Sequence, residues 1–284
     1  MNSSKFSFSR LLLYFVLVSL FLFVSSHVGR YLLENQVMDR QGAMLLQGVI
    51  FTGLTLVVLY ILKRKNPDVF KNIGLKHVHS PSKLIVGIAL PFILLGSGIL
   101  TAYLFGGIEN VSLNLTTNVI ISILINSITA FMYEAFPEEI FIRGLIFEEL
   151  NKKFRFNISL ILQPLIFICV PVVVMALSSI LFSEPFGLTI DYFILLFTFG
   201  IALQLYRKYT GTLWMSIIFH VVYLEVARYI SSGGMYDPDA ALLKFDEVFG
   251  GFMNLYLSFL FIVVFSVAIL SVLLLIDKRK NKRT

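Results

Sequence analysis

Residues Glu134–Leu150, EAFPEEIFIRGLIFEEL, set adjacent carboxylates Glu138 and Glu139, then Arg143, inside a run of Phe, Ile and Leu. The chain around them is just as apolar: 57% of its residues are hydrophobic and 14% are charged, outside the usual range of soluble domains. A carboxylate in such a stretch is costly unless it pairs or lines a polar cavity, so the segment reads as a membrane span with a site in it.

Working outward, eight apolar blocks approach the roughly 20 helical residues that cross a hydrocarbon core. They run Leu11–Val28, Ala43–Leu62, Leu84–Phe105, Val119–Phe147, Ile158–Phe182, Ile190–Tyr206, Leu213–Ile230 and Phe252–Ile276. The predicted fold class is therefore all-α, a polytopic integral membrane protein of about eight transmembrane helices. Lys and Arg are retained on the cytoplasmic side. With the N-terminus inside, the inner segments hold Lys5 and Arg10, Lys63 to Lys83, Lys152 to Arg155, Arg207 and Lys208, and the basic tail from Lys278. The outer segments hold only Arg30, Arg40, Arg228 and Lys244. Both termini are expected to be cytoplasmic. The positive net charge of +6 is a set of topological anchors, and nothing else recommends a nucleic-acid partner.

The first block reads as a retained span, because its apolar core is long and SSHVGR is a poor cleavage site. Cys169 is alone, which removes a disulfide framework and a cysteine metal site. The division expected is two N-terminal helices over residues 1–67, a membrane core over 68–230, and an outer loop, last helix and basic tail over 231–284. The loop SSGGMYDPDAALLKFDE is expected to lie on the membrane surface. Lipid is the first partner, and the low-charge, Phe- and Ile-rich composition fits a bacterial plasma membrane.

Glu139 and Arg143 stand four apart, the spacing at which a Glu and a following Arg meet on one helix. Glu138 lies about 100° away around the helix and is left without that partner. Pro137 removes a backbone donor beside it, and Glu134 stands one turn earlier on the same face. An unpaired carboxylate held partly out of water is suited to take a proton from water. Counting from the nearest basic residues, Glu139 is roughly 20 Å and His220 roughly 18 Å of helix from the cytoplasmic side. The two spans run antiparallel, so acid and imidazole share a level, and His220 is the expected partner of Glu138 as proton shuttle or metal ligand. Elsewhere, Glu148 and Glu149 are expected to pair with Lys152 and Lys153, and Glu184 and Asp191 to be solvated charges in an outer loop.

EEIFIRG, Glu138 to Gly144, matches the EExxxR motif of the CAAX-protease and bacteriocin-processing family, CPBP or Abi. TGTLWMSIIFH, Thr210 to His220, resembles the segment around that family's last histidine, and FKNIGLK and LYRKYTGTLW resemble its connectors. The resemblance covers roughly residues 68–230. It implies an intramembrane glutamate or metallo-protease that hydrolyses a peptide bond near the membrane. Glu138 would be the water-activating base, Glu139 and Arg143 a structural ion pair, and His220 one of two catalytic histidines.

Two positions depart from the pattern. FxxxH becomes FICVP, with Pro171 in the histidine's place, and a second alignment on FSEPF also lacks His. HxxxN becomes His220 followed at that spacing by Leu224, with Glu225 next as a possible substitute. His27, His77 and His79 lie at the wrong depth. A zinc-type site needs about three protein ligands, which Glu138, His220 and Glu225 would have to supply, so the cofactor is either such a divalent metal or none. Three readings follow: an endopeptidase with an altered site, a catalytically degenerate scaffold or regulator of a membrane or cell-envelope protein, and a transporter. The last lacks the inverted repeat and paired broken helices expected of one.

Overall fold

The computed structural model describes residues 5–75, 80–231 and 240–280. His77, His79 and part of the long loop after Ser231 lie outside the described residues. Among the described residues, eight helices are long and apolar enough to cross a membrane: α1 Phe8–Glu34, α2 Arg40–Lys65, α3 Pro81–Leu104, α4 Thr117–Asn151, α5 Phe156–Phe182, α6 Ile190–Thr210, α7 Leu213–Ser231 and α8 Asn254–Lys280.

Their starts follow local chemistry. Ser7, Asp39, Thr116 and Thr212 each accept a hydrogen bond from a first-turn amide of α1, α2, α4 and α7. Pro81 opens α3, where its missing N–H costs nothing. Gly211, at φ +76°, ends α6, and α7 starts two residues later. The amide of Leu213 then donates to Gly74 O at 2.9 Å, tying this turn to the segment after the one-turn helix Val69–Asn72.

Ion pairs show which helix ends lie together. Arg10 pairs with Glu149 at 2.9 Å, Arg207 with Glu148 at 2.7 Å, and Lys83 with Asp277, all at one basic end of the bundle. Arg30 pairs with Glu184 at the opposite end. The expected helix-surface pairs are thus redrawn. Glu148 reaches across to α6, and Glu149 takes Arg10 and the Ser7 amide as well as Lys152, three residues on. Glu184 is not simply solvated either, since it also lies 3.7 Å from His27 Nε2. Contacts between helices were not available to a reading of one helix at a time.

One apolar core joins α3, α6, α7 and α8, and a second joins α1, α2, α4 and α5. The inner faces of α6 and α7 are the most enclosed, so polar groups there are the furthest from lipid. Two features depart from the expected uniform helices. First, helices widen into π-turns, α4 at Phe131–Ala135 and Glu139–Ile146 on either side of Pro137, and, without a proline, α7 at Ala227–Ser231 and α8 at Asn254–Val264. Proline cannot donate and its ring crowds the preceding carbonyl, and the wider turn accommodates it. Second, the chain is mostly helical but not wholly so. Strands β1 Ile108–Leu113 and β2 Leu243–Glu247 pair antiparallel, with Ile108 opposite Glu247 and Leu113 opposite Leu243. The register is irregular between Glu109 and Ser112, where Asn110 takes φ +50° and its side chain donates to Asp246 at 2.7 Å. Part of the outer loop expected on the membrane surface forms strand β2.

Candidate active site

The wider turn of α4 begins at Glu139, and its side chain points at α7. Glu139 Oε1 lies 3.1 Å from Arg143 Nη1 and 3.0 Å from His220 Nδ1. Glu139 and Arg143 are fully buried and His220 nearly so. The guanidinium lies over the Phe167 ring of α5, 4.4 Å from its centroid. The edge of Phe199 from α6 meets the imidazole at 4.9 Å and the Tyr223 ring at 4.5 Å. Four helices thus fix one carboxylate between a guanidinium and an imidazole.

This corrects the expected pairing of His220 with Glu138. The shared depth of acid and imidazole holds, but the imidazole meets the neighbouring glutamate. A π-turn changes the angle between successive side chains, so the face cannot be counted from an ideal α-helix. When Nδ1–H donates to Glu139, Nε2 of the neutral ring keeps its lone pair.

Glu138 is half-buried and has no hydrogen-bond partner among the described residues. It feels the charge of Glu134 one turn away, and Tyr192 at the start of α6 is close enough to interact with both carboxylates. Of the two positions expected to depart from the family pattern, Pro171 lies one turn beyond Phe167 on α5, and Leu224 is packed in the apolar core. Neither offers an atom that could move a proton or bind a metal.

Glu225 belongs to a separate layer, nearer the opposite end of α7. Its Oε1 accepts from Asn126 Nδ2 at 2.6 Å, Asn126 Oδ1 accepts from Arg228 Nη1 at 3.4 Å, and Arg228 Nη2 donates to Glu134 at 2.5 Å. Arg228 was expected in an outer segment as a topological anchor, but it is 8% exposed and lies within α7. Asn126 and Arg228 were both missed. The signal was there, a polar residue inside ILINSITA and an arginine three after Glu225, each in an apolar run where it needs a partner.

The donor set does not fit a zinc-type metal. Among the described residues no three His, Cys, Asp or Glu side chains come together to hold one. His220 Nδ1 is occupied by Glu139 and Glu225 Oε1 by Asn126.

Residues 116–224 match the family model Rce1-like, type II CAAX prenyl endopeptidase. This segment is Rce1-like. It runs from the cap of α4 to Leu224 and so contains Glu138, Glu139, Arg143, Pro171 and His220, while Glu225 and Arg228 lie just beyond it. No curated protein and no solved structure matches the chain. Eight helices of spanning length among the described residues make the molecule a multi-pass membrane protein, and residues 116–224 are similar to this protease family.

Proposed function

We propose that the chain is an intramembrane endopeptidase of the Rce1-like kind, cleaving a membrane-proximal peptide with Glu138 as the water-activating base. The observation that carries this reading is the division of labour between adjacent glutamates. Arg143 and His220 engage Glu139, whereas Glu138 is left half-open with no hydrogen-bond partner. Glu138 takes a proton from water as its oxygen adds to the scissile carbonyl, then returns that proton to the departing amine as the C–N bond breaks. His220, held by Glu139, presents Nε2 to the same reaction, and Glu139 stabilises the imidazolium if it takes a proton. No metal enters these steps.

The basic end is assigned to the cytoplasm by its Lys and Arg, in a plasma membrane of bacterial type. A second reading rests on Pro171 and Leu224, which fill two catalytic positions with inert side chains: a family member that has lost hydrolysis and binds a membrane or envelope protein as scaffold or regulator. Detergent-purified wild type, Glu138→Ala and His220→Ala, all checked for folding, are compared for cleavage of prenylated and unprenylated membrane peptides. Cleavage that both substitutions abolish supports the peptidase. No cleavage by wild type, with partner co-purification unchanged in both variants, supports the scaffold.

A further inference from the structure

On α4, α5 and α6 several buried polar atoms have no protein hydrogen-bond partner among the described residues. They are Glu139 Oε2, all three guanidinium nitrogens of Arg143, Gln163 Oε1 and Nε2, Gln204 Oε1, Ser159 Oγ and Asn151 Oδ1. Arg143, Gln163 and Ser159 are fully buried and Gln204 is 2% exposed. The ion pair to Glu139 neutralises the guanidinium but does not supply aligned acceptors for its five N–H groups.

Helix geometry places these side chains together. Ser159, Gln163 and Phe167 are spaced four apart on α5, and Phe167 touches Arg143, so this stripe faces α4. On α4, Asn151 follows Arg143 towards the basic end. On α6, Gly200 allows close approach: a Cβ there would lie 3.4 Å from Arg143 Nη2 and 2.7 Å from Pro164 Cβ. Gln204 is one turn further along α6, and Arg207 after it donates to Arg143 O and, at 2.7 Å, to Glu148. On all three helices these residues succeed one another towards the basic end, where Asn151 adjoins the exposed Lys152 and Lys153.

From this juxtaposition we infer that α4, α5 and α6 enclose a hydrated seam, a file of water running from the basic end along Ser159, Gln163, Gln204 and Arg143 to Glu139. A dry interior would leave several fully buried polar side chains unsatisfied at once, at a cost comparable to the folding free energy of a whole domain. Water satisfies them, as it does buried polar groups generally. The seam gives water and protons a route to the Glu139–His220 pair from behind, apart from the side on which Glu138 opens. It stands whether or not the chain cleaves peptides.

X-ray hydroxyl-radical footprinting of the intact wild-type protein in detergent tests this directly, since bound water close to a ring is what oxidises it. Phe167, buried over Arg143 at 4% exposure, is expected to be labelled at a rate approaching that of exposed phenylalanines, while the fully buried Phe51 stays silent. Replacing a water-bonded amide by a hydrocarbon removes those bonds, so Gln163→Leu and Gln204→Leu are each expected to lower the melting temperature by roughly 2–4 °C. In a dry interior the same substitutions remove an unsatisfied group and raise it. Phe167 as silent as Phe51, with both leucine variants more stable than wild type, overturns the seam. Where a variant fails to fold, the wild-type footprint decides alone.

Discussion

Two polar layers sit within one and a half turns of each other on α7, and they are built differently. In the Glu139–Arg143–His220 layer the charges are sealed from lipid, yet most of their hydrogen-bonding capacity is unspent on protein. In the Glu225–Asn126–Arg228–Glu134 layer each side chain holds the next, although Glu225 Oε2 is itself buried without a partner among the described residues, and Glu134 is still 21% exposed. Glu138 lies between them, one turn from Glu134 and adjacent to Glu139, and is bound by neither. The first layer is built to hold an imidazole ready, and the second to fasten α4 to α7. A polar residue in a membrane span therefore cannot be assigned a role from its chemistry alone.

Arg143→Leu should strain the comparison most. It leaves Glu139 as a buried charge without its guanidinium, an effect of about 3–5 kcal/mol on stability, read by thermal unfolding in detergent. Glu138→Gln is the opposite kind of change. It should reduce cleavage by about 10²–10⁴-fold while leaving unfolding unchanged, because no hydrogen bond is lost. In the fastening layer, Asn126→Leu leaves Glu225 and Arg228 without the amide between them and should cost about 1–3 kcal/mol. Arg30→Ala, at the exposed pair with Glu184, should cost no more than about 1 kcal/mol and less as salt is raised. An Asn126→Leu effect as large as that of Arg143→Leu would erase the distinction between the layers.

Much of this was legible in the sequence because the relevant signals are local. Apolar blocks of spanning length located all eight helices to within a few residues, and the i,i+4 spacing located the Glu139–Arg143 pair. Helix rise brought His220 to the right depth. What failed needed the angle around a helix or a contact between distant segments. The π-turn after Glu138 turned the imidazole to the other glutamate. Arg228, counted as a loop charge, is buried because Glu134 and Asn126 wait for it on α4. The β1–β2 pairing joins two short strands far apart in sequence, and neither carries a hairpin signal.

The most direct test of the account exchanges one glutamate at a time. Glu138→Gln and Glu139→Gln are purified in detergent and measured side by side for thermal unfolding and cleavage of a membrane-inserted peptide. The account predicts that Glu138→Gln unfolds like wild type and does not cleave, whereas Glu139→Gln unfolds at a lower temperature because Arg143 and His220 lose their shared partner. Wild-type cleavage by Glu138→Gln, or an unfolding profile lowered in Glu138→Gln and unchanged in Glu139→Gln, would contradict it.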